Sequence, residues 1–169
     1  MSQDPLYRFR RAAYRKHREQ KYMEGWQFKV VVPSSAIDFD LFAKDISYGA
    51  VEITTTEKRV GGNVMTSPES AAPVILGVTI RDNERGDFAT WFDEQAGKIF
   101  NSNGTKNLSH TYEFAIEIHT LLKDGSTELR ESWVVFPTLR GDRTESVDEL
   151  GAYVSYPISF TQSDSLGGG

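Results

Sequence analysis

The residues that could do chemistry are few and scattered. Three histidines stand at positions 17, 110 and 119, far apart in the chain. His119 follows Glu117 by two residues, so on an extended chain both side chains share a face. A histidine and a carboxylate do not make a metal site, which needs three or four converging ligands. Glu113 and Glu117 are also spaced to share that face, yet nothing around them in sequence marks a sugar cleft or a raised pKa. The serines are numerous, and none lies in a G-x-S-x-G nucleophile elbow. Neither glycine pair sits in a G-x-x-x-x-G-K-[ST] phosphate loop. There is no cysteine, which removes disulfides, thiolate metal ligands and cysteine nucleophiles, and suits a reducing compartment. Asn103-Gly104-Thr105 and Asn107-Leu108-Ser109 match the glycosylation sequon without a secretory signal before them. Arg85-Gly86-Asp87 and Arg140-Gly141-Asp142 read as turns. This inventory points to a wall or an interface, with no catalytic, metal or cofactor residues expected.

The elements that would carry these residues are mostly strands. TYEFAIEIHTLL alternates, placing Tyr112, Phe114, Ile116 and Ile118 on one face and Glu113, Ala115, Glu117 and His119 on the other. Asp124-Gly125 then joins it to TELRESWVVFP, a strong hairpin signal because glycine accepts the positive φ of a tight turn. In that second strand Trp133, Val134, Val135 and Phe136 are apolar on both faces, which predicts burial on both sides. AYVSYPISFTQ supplies a last strand.

Upstream, GWQFKVVVP predicts a strand with Trp26, Phe28, Val30 and Val32 on one face. YGAVEITTT and PVILGVTIRD predict two more, the second with Leu76, Val78 and Ile80 on one side. Between these two lies a polar stretch, EKRVGGNVMTSPESAA, too long for an idle loop. Gly61-Gly62-Asn63 suits a hairpin tip, and strands extended into the stretch would make a projecting β-arm. GDFATWFDEQAGKIF is the clearest helix of the body, with Phe88, Phe92, Ala96 and Ile99 in one stripe, Trp91 widening it, and Asp87 near its start. Residues 5–22 predict a weakly amphipathic helix, opened by Asp4 and Pro5 and lined by Leu6, Phe9, Ala13 and His17.

At 169 residues the chain is expected to form about one domain. We divide it into a basic helical arm (1–24), a β domain (25–162) and a glycine-rich end (163–169). The charge is unequally shared. The arm carries a net +4 against −9 for the rest, giving the formal −5 of the chain. A basic arm on an acidic body fits contact with nucleic acid or packing between copies of the same chain. No stretch approaches the ~20 apolar residues of a membrane helix.

The order of elements carries a resemblance. Two strand blocks flank a long loop, followed by a Trp-bearing helix (DFATWFDEQ), a Tyr-initiated strand (TYEFAIEIH) and a D-G hairpin. A strand ending in W-x-x-x-P follows (Trp133 to Pro137), then an acidic segment (SVDEL) and a last strand closing in S-F-T. Over residues 25–162 this resembles the tail tube proteins of contractile-tailed bacteriophages, which share their fold with the tubes of contractile injection systems. The resemblance implies an antiparallel β-sandwich or small barrel with one packed helix. It also implies a structural, non-enzymatic protein in stacked homohexameric rings, a conduit for phage DNA. The implied partners are further copies, the sheath, the tape-measure chain and baseplate or terminator proteins, in a virion tail assembled in the bacterial cytoplasm.

On that reading the free sheet edges of six copies pair into one continuous barrel. Lys58, Arg59, Gly61, Gly62 and Asn63 reach the next ring. Glu113 and Glu117 face the lumen and repel DNA. Arg8, Arg10, Arg11, Arg15, Lys16 and Arg18 of the arm lie between subunits. The long arm and glycine-rich end depart from the simplest tube subunit and leave open a baseplate tube initiator or adaptor ring of the same fold. A DNA-binding module using the arm is the remaining alternative.

Overall fold

The alternation of FAIEIH is realised as a strand buried on one face, and the sheet is built around it. The computed structural model describes residues 10–11, 14–16, 18, 23–49, 52–143, 145 and 153–163. The elements, in order, are β1 (Phe28–Val31), α1 (Phe39–Phe42), β2 (Ala43–Ser47), β3 (Ile53–Val60), β4 (Asn63–Ala71), β5 (Ile75–Arg81) and α2 (Asp87–Gly97). They continue with α3 (Ser109–Tyr112), β6 (Phe114–Leu121), β7 (Thr127–Arg140) and β8 (Ser155–Gln162). Six strands form one antiparallel sheet in the order β1-β6-β7-β8-β5-β2, and β3 pairs with β4 in a separate hairpin.

The core face of that sheet carries Val30, Phe114, Ile116, Ile118, Val135, Tyr156, Ile158, Phe160, Leu76, Val78 and Ile80, all buried. They are the alternate residues of their strands, which is what a period of two requires. Helix α2 covers this face with Phe88, Trp91 and Phe92, the stripe expected from the sequence. Phe39 of α1 enters the same space, edge-on to Phe88 at 5.0 Å and to Trp91 at 5.7 Å between ring centroids.

The sheet is curled. Tyr48, one residue past β2, stacks edge-on against Trp133 of β7 at 5.5 Å. Three strand steps separate β2 from β7 in the sheet order, about 14 Å if the sheet were flat. The curl brings the two edge strands together without joining them by a ladder. In place of a ladder, Asp40 of α1 accepts a hydrogen bond from the Val30 amide of β1 at 3.0 Å, and β2 begins at Ala43, three residues on. Helix α1 therefore bridges the gap between the edges. One edge amide, that of Val30, is thereby taken up within the chain.

Several expectations need correcting. Trp26 is exposed and Gln27 is buried in its place. Ordered strand starts only at Phe28, and Gln27 is buried because its side chain serves the backbone, bonding Leu121 O at 3.0 Å and the Glu24 amide at 2.7 Å. Tyr112 ends the one-turn helix α3 rather than opening β6, yet its ring stays buried against Phe136 at 6.0 Å. Val134 is exposed, so β7 is not covered on both faces. By contrast, the long polar stretch after residue 56 continues both strands to the Gly61-Gly62 tip, the β-arm expected of it. The calls on Asp4, Pro5, Leu6, Arg8, Phe9, Ala13, His17, Ala50, Val51, on SVDEL and on residues 164–169 lie outside the described residues. The described arm residues Arg10, Arg11, Tyr14, Arg15, Lys16 and Arg18 are helical and exposed.

One polar cluster ties helix to sheet. Helix α2 begins after Gly86, which has φ +69 and offers no side chain to cap it. Asp82, at the end of β5, supplies the cap from outside, accepting from the amides of Phe88 and Ala89 at 3.1 Å each. It also accepts from the Tyr156 hydroxyl at 2.7 Å. Burial, and then the Asp82 carboxylate, push the Tyr156 phenol well above the ordinary tyrosine range. A raised pKa means the neutral phenol is favoured in the folded state, so stability is lost as pH climbs past the ordinary tyrosine value. Tyr156→Phe should cost about 1 kcal/mol and blunt that alkaline loss. Asp82→Ala should cost about 2–4 kcal/mol, because it removes the cap and orphans the hydroxyl. Urea titration across pH measures both, and equal costs for the two variants would refute the assignment.

Candidate assembly surface

Because β3 has Ile, Thr or Val at five of its eight positions and meets β4 at Gly61-Gly62, the two strands fold on each other. Their register runs without a shift from Val60↔Asn63 to Thr55↔Pro68, with a bulge between Thr54 and Thr55. Gly61 has φ +65, the left-handed conformation a two-residue turn needs at its first central position. Every residue of both strands is exposed. Each strand packs on the other, and among the described residues neither shares a substantial contact with the body. Ile53, Val60, Val64 and Met65 are all more than half exposed on this arm. An isolated two-stranded hairpin is marginally stable in water. Lys58, Arg59, Gly61, Gly62 and Asn63 are brought together at and beside its tip. The apolar neighbours Val60, Val64 and Met65 were not singled out from sequence; their closeness to the Gly61-Gly62 turn was the available signal.

The arm leaves the sheet between β2 and β5, at the end where the β6–β7 turn also lies. At the opposite flank of that end, Met23, Gln27, Leu121 and Leu122 line a shallow apolar groove. Arg130 Nη1 approaches the Met23 sulfur there at 3.4 Å.

Glu117 lies on the face of β6 turned away from the core, opposite Ser132 of β7. Its carboxylate meets His119 Nε2 at 2.9 Å, the pair foreseen from their spacing. Lys29 of β1 stands directly across from His119. Glu113 is at the junction of α3 and β6, half-buried, and by alternation belongs to the same side as Glu117. The two glutamates thus share a sheet face, where Glu117 is paired with His119. Along β8 and β5 this face continues with small side chains, among them Ser159, Gly77 and Thr79. Among the described residues no three of His, Asp and Glu gather as metal ligands would. Asn103 folds onto Thr105, accepting from its amide at 3.0 Å and its hydroxyl at 2.7 Å, so this sequon forms a turn.

No protein-family model matches the chain, and no curated protein does. Solved structures do. A chain of the sheath/tube terminator of PVC, an extracellular contractile injection system in its extended state, aligns with a TM-score of 0.62 and 16% identity. That alignment covers 86% of this chain and 96% of the other. A chain of the PVC sheath–tube complex aligns with a TM-score of 0.61 at 17% identity, covering 89% and 93%. A chain of the tube-terminating cap of the anti-feeding prophage aligns with a TM-score of 0.61 at 16% identity, covering 85% and 88%. The chain therefore has the tube-type fold of contractile injection particles, a mainly antiparallel β fold with a packed helix, as its order of elements implied.

Proposed function

We propose that this chain is a structural subunit of a contractile tail, forming stacked homohexameric rings around a lumen in a phage tail tube that conducts DNA to the host. The observation that carries this is the shared fold, spanning 85–89% of the chain in alignments with tube, terminator and cap assemblies. The projecting arm supports it, since a self-assembling ring gives such an element a partner. On this reading the tip residues Lys58, Arg59, Gly61, Gly62 and Asn63 reach the adjoining ring. The sheath, tape-measure chain and baseplate or terminator proteins are the further partners, in a virion tail assembled in the bacterial cytoplasm. The role is one of structure, not catalysis.

The sheet topology supports a ring as well. An antiparallel sheet with an even number of strands has edges that run in opposite directions. Copies related by rotation would then set β2 of one beside β1 of the next in antiparallel order. Two of the three aligned assemblies are a terminator and a cap. They favour, as a second reading, a ring present at one level of the tail, such as an adaptor or tube initiator.

Negative-stain microscopy of the purified chain at high concentration, with size exclusion alongside, separates these. Long hollow tubes support the repeated subunit and closed single rings the second reading. A monomer at every concentration overturns both. The basic arm, through Arg8, Arg10, Arg11, Arg15, Lys16 and Arg18, is proposed to lie on acidic surfaces of neighbouring copies. Deleting residues 1–22 should then weaken assembly chiefly at low salt, where exposed charges are least screened. Assembly unchanged by the deletion removes that role.

Glu113 and Glu117 are proposed to face the lumen, on the sheet side not covered by α2. A lumen that binds phosphates would hold DNA, with affinity rising for each contact. Changing both to Lys in the phage should slow DNA ejection on the order of tenfold while tubes still form. Ejection at the normal rate would remove them from the lumen.

A further inference from the structure

The hairpin's two outer edges are chemically unequal, and the difference says which one takes a partner. A two-residue turn is flanked by a pair that exchanges both backbone hydrogen bonds, and the pairs beyond alternate between bonded and non-bonded. Counting from Val60↔Asn63 along the unbroken register, the non-bonded pairs are Arg59↔Val64, Glu57↔Thr66 and Thr55↔Pro68. Their amides point away from the hairpin. On β4 this outward row is Val64, Thr66 and Pro68, and proline has no amide to offer. The next step along β4 is the bulge, which ends its regular edge. On β3 the row is Thr55, Glu57 and Arg59, three donors in phase with no proline. Natural edges are blunted by proline and bulges where pairing is unwanted. Here one edge is blunted and the other is left as a template.

We propose that the outer edge of β3 takes a strand from a second copy of this chain by backbone hydrogen bonding, making the hairpin part of a larger intersubunit sheet. The inference rests on the ring reading above and names the surface through which the arm joins its neighbour. Three observations favour a second copy as the occupant. The arm is fully exposed and needs at least a third strand for independent stability. Its tip carries Lys58 and Arg59 on a chain whose formal net charge is −5, so the tip complements the body of another copy. The chain is itself built of antiparallel strands, so another copy offers backbone of the kind such an edge pairs with. Backbone bonding along an edge also suits a strand whose side chains, mixed on both faces, define no apolar pocket.

Hydrogen exchange read by mass spectrometry on the full chain, before and after assembly, tests this directly. The amides of Thr55, Glu57 and Arg59 should slow by about tenfold or more on assembly, while those of Val64 and Thr66 change little. Glu57→Pro should abolish assembly and Thr66→Pro should spare it, since both substitutions fall at outward-facing edge positions that tolerate proline. Assembled particles with β3 amides still in fast exchange overturn the edge assignment and leave the ring reading standing. So does assembly lost to Thr66→Pro, or assembly that withstands Glu57→Pro. A wild-type chain that never assembles overturns both.

Discussion

The fold depends on how one short helix spans the mouth of a curled sheet. Only eleven residues separate the end of β1 from the start of β2, yet these are the opposite edges of a six-stranded sheet. A chain of that length joins them only if the sheet bends round, and α1 sits at the place where they meet. Phe39 enters the aromatic cluster of Phe88, Trp91 and Phe160, while the next residue, Asp40, turns to the Val30 amide. Adjacent positions of one helical turn thus hold the core and guard an edge. Without the bend, Tyr48 and Trp133 would not meet and α2 would have no concave face to fill.

The same constraint shapes the surface. A sheet curled around its own core presents its other face outward, and there most side chains are small or polar, Glu113, Glu117 and His119 among them, with Val134 an apolar exception. The hairpin stands apart from this arrangement. It adds nothing to the core, and all its residues face solvent in the single chain. The same fold is found in the aligned chains of contractile injection particles.

Much of the body was legible because its residues obey simple periods. Phe114, Ile116 and Ile118 alternate, as do Leu76, Val78 and Ile80, and both sets are buried. Phe88, Trp91 and Phe92 follow helical spacing and form the covering stripe. The misreadings fell where burial was decided by geometry beyond the strand. Val134 is apolar but lies on the uncovered side, since among the described residues no second layer packs there. Gln27 is polar but buried, because a backbone carbonyl across the sheet needed a donor. Asp82 was passed over because its partners, Tyr156 and the start of α2, come from separate parts of the chain.

By itself, then, the sequence determined which residues alternate, where turns must fall and where the helix of the body lies, since these depend on neighbours a few positions apart. Gly61-Gly62 marked the hairpin tip for the same reason: only the local φ matters there. Tertiary structure alone decided that the sheet curls, that α1 bridges its edges and that the hairpin leaves the body unpacked. It also settled that His119 holds Glu117 on the side of the sheet away from the core. Those outcomes depend on contacts between residues distant in the chain, and on which face is left without a partner. No local pattern encodes that.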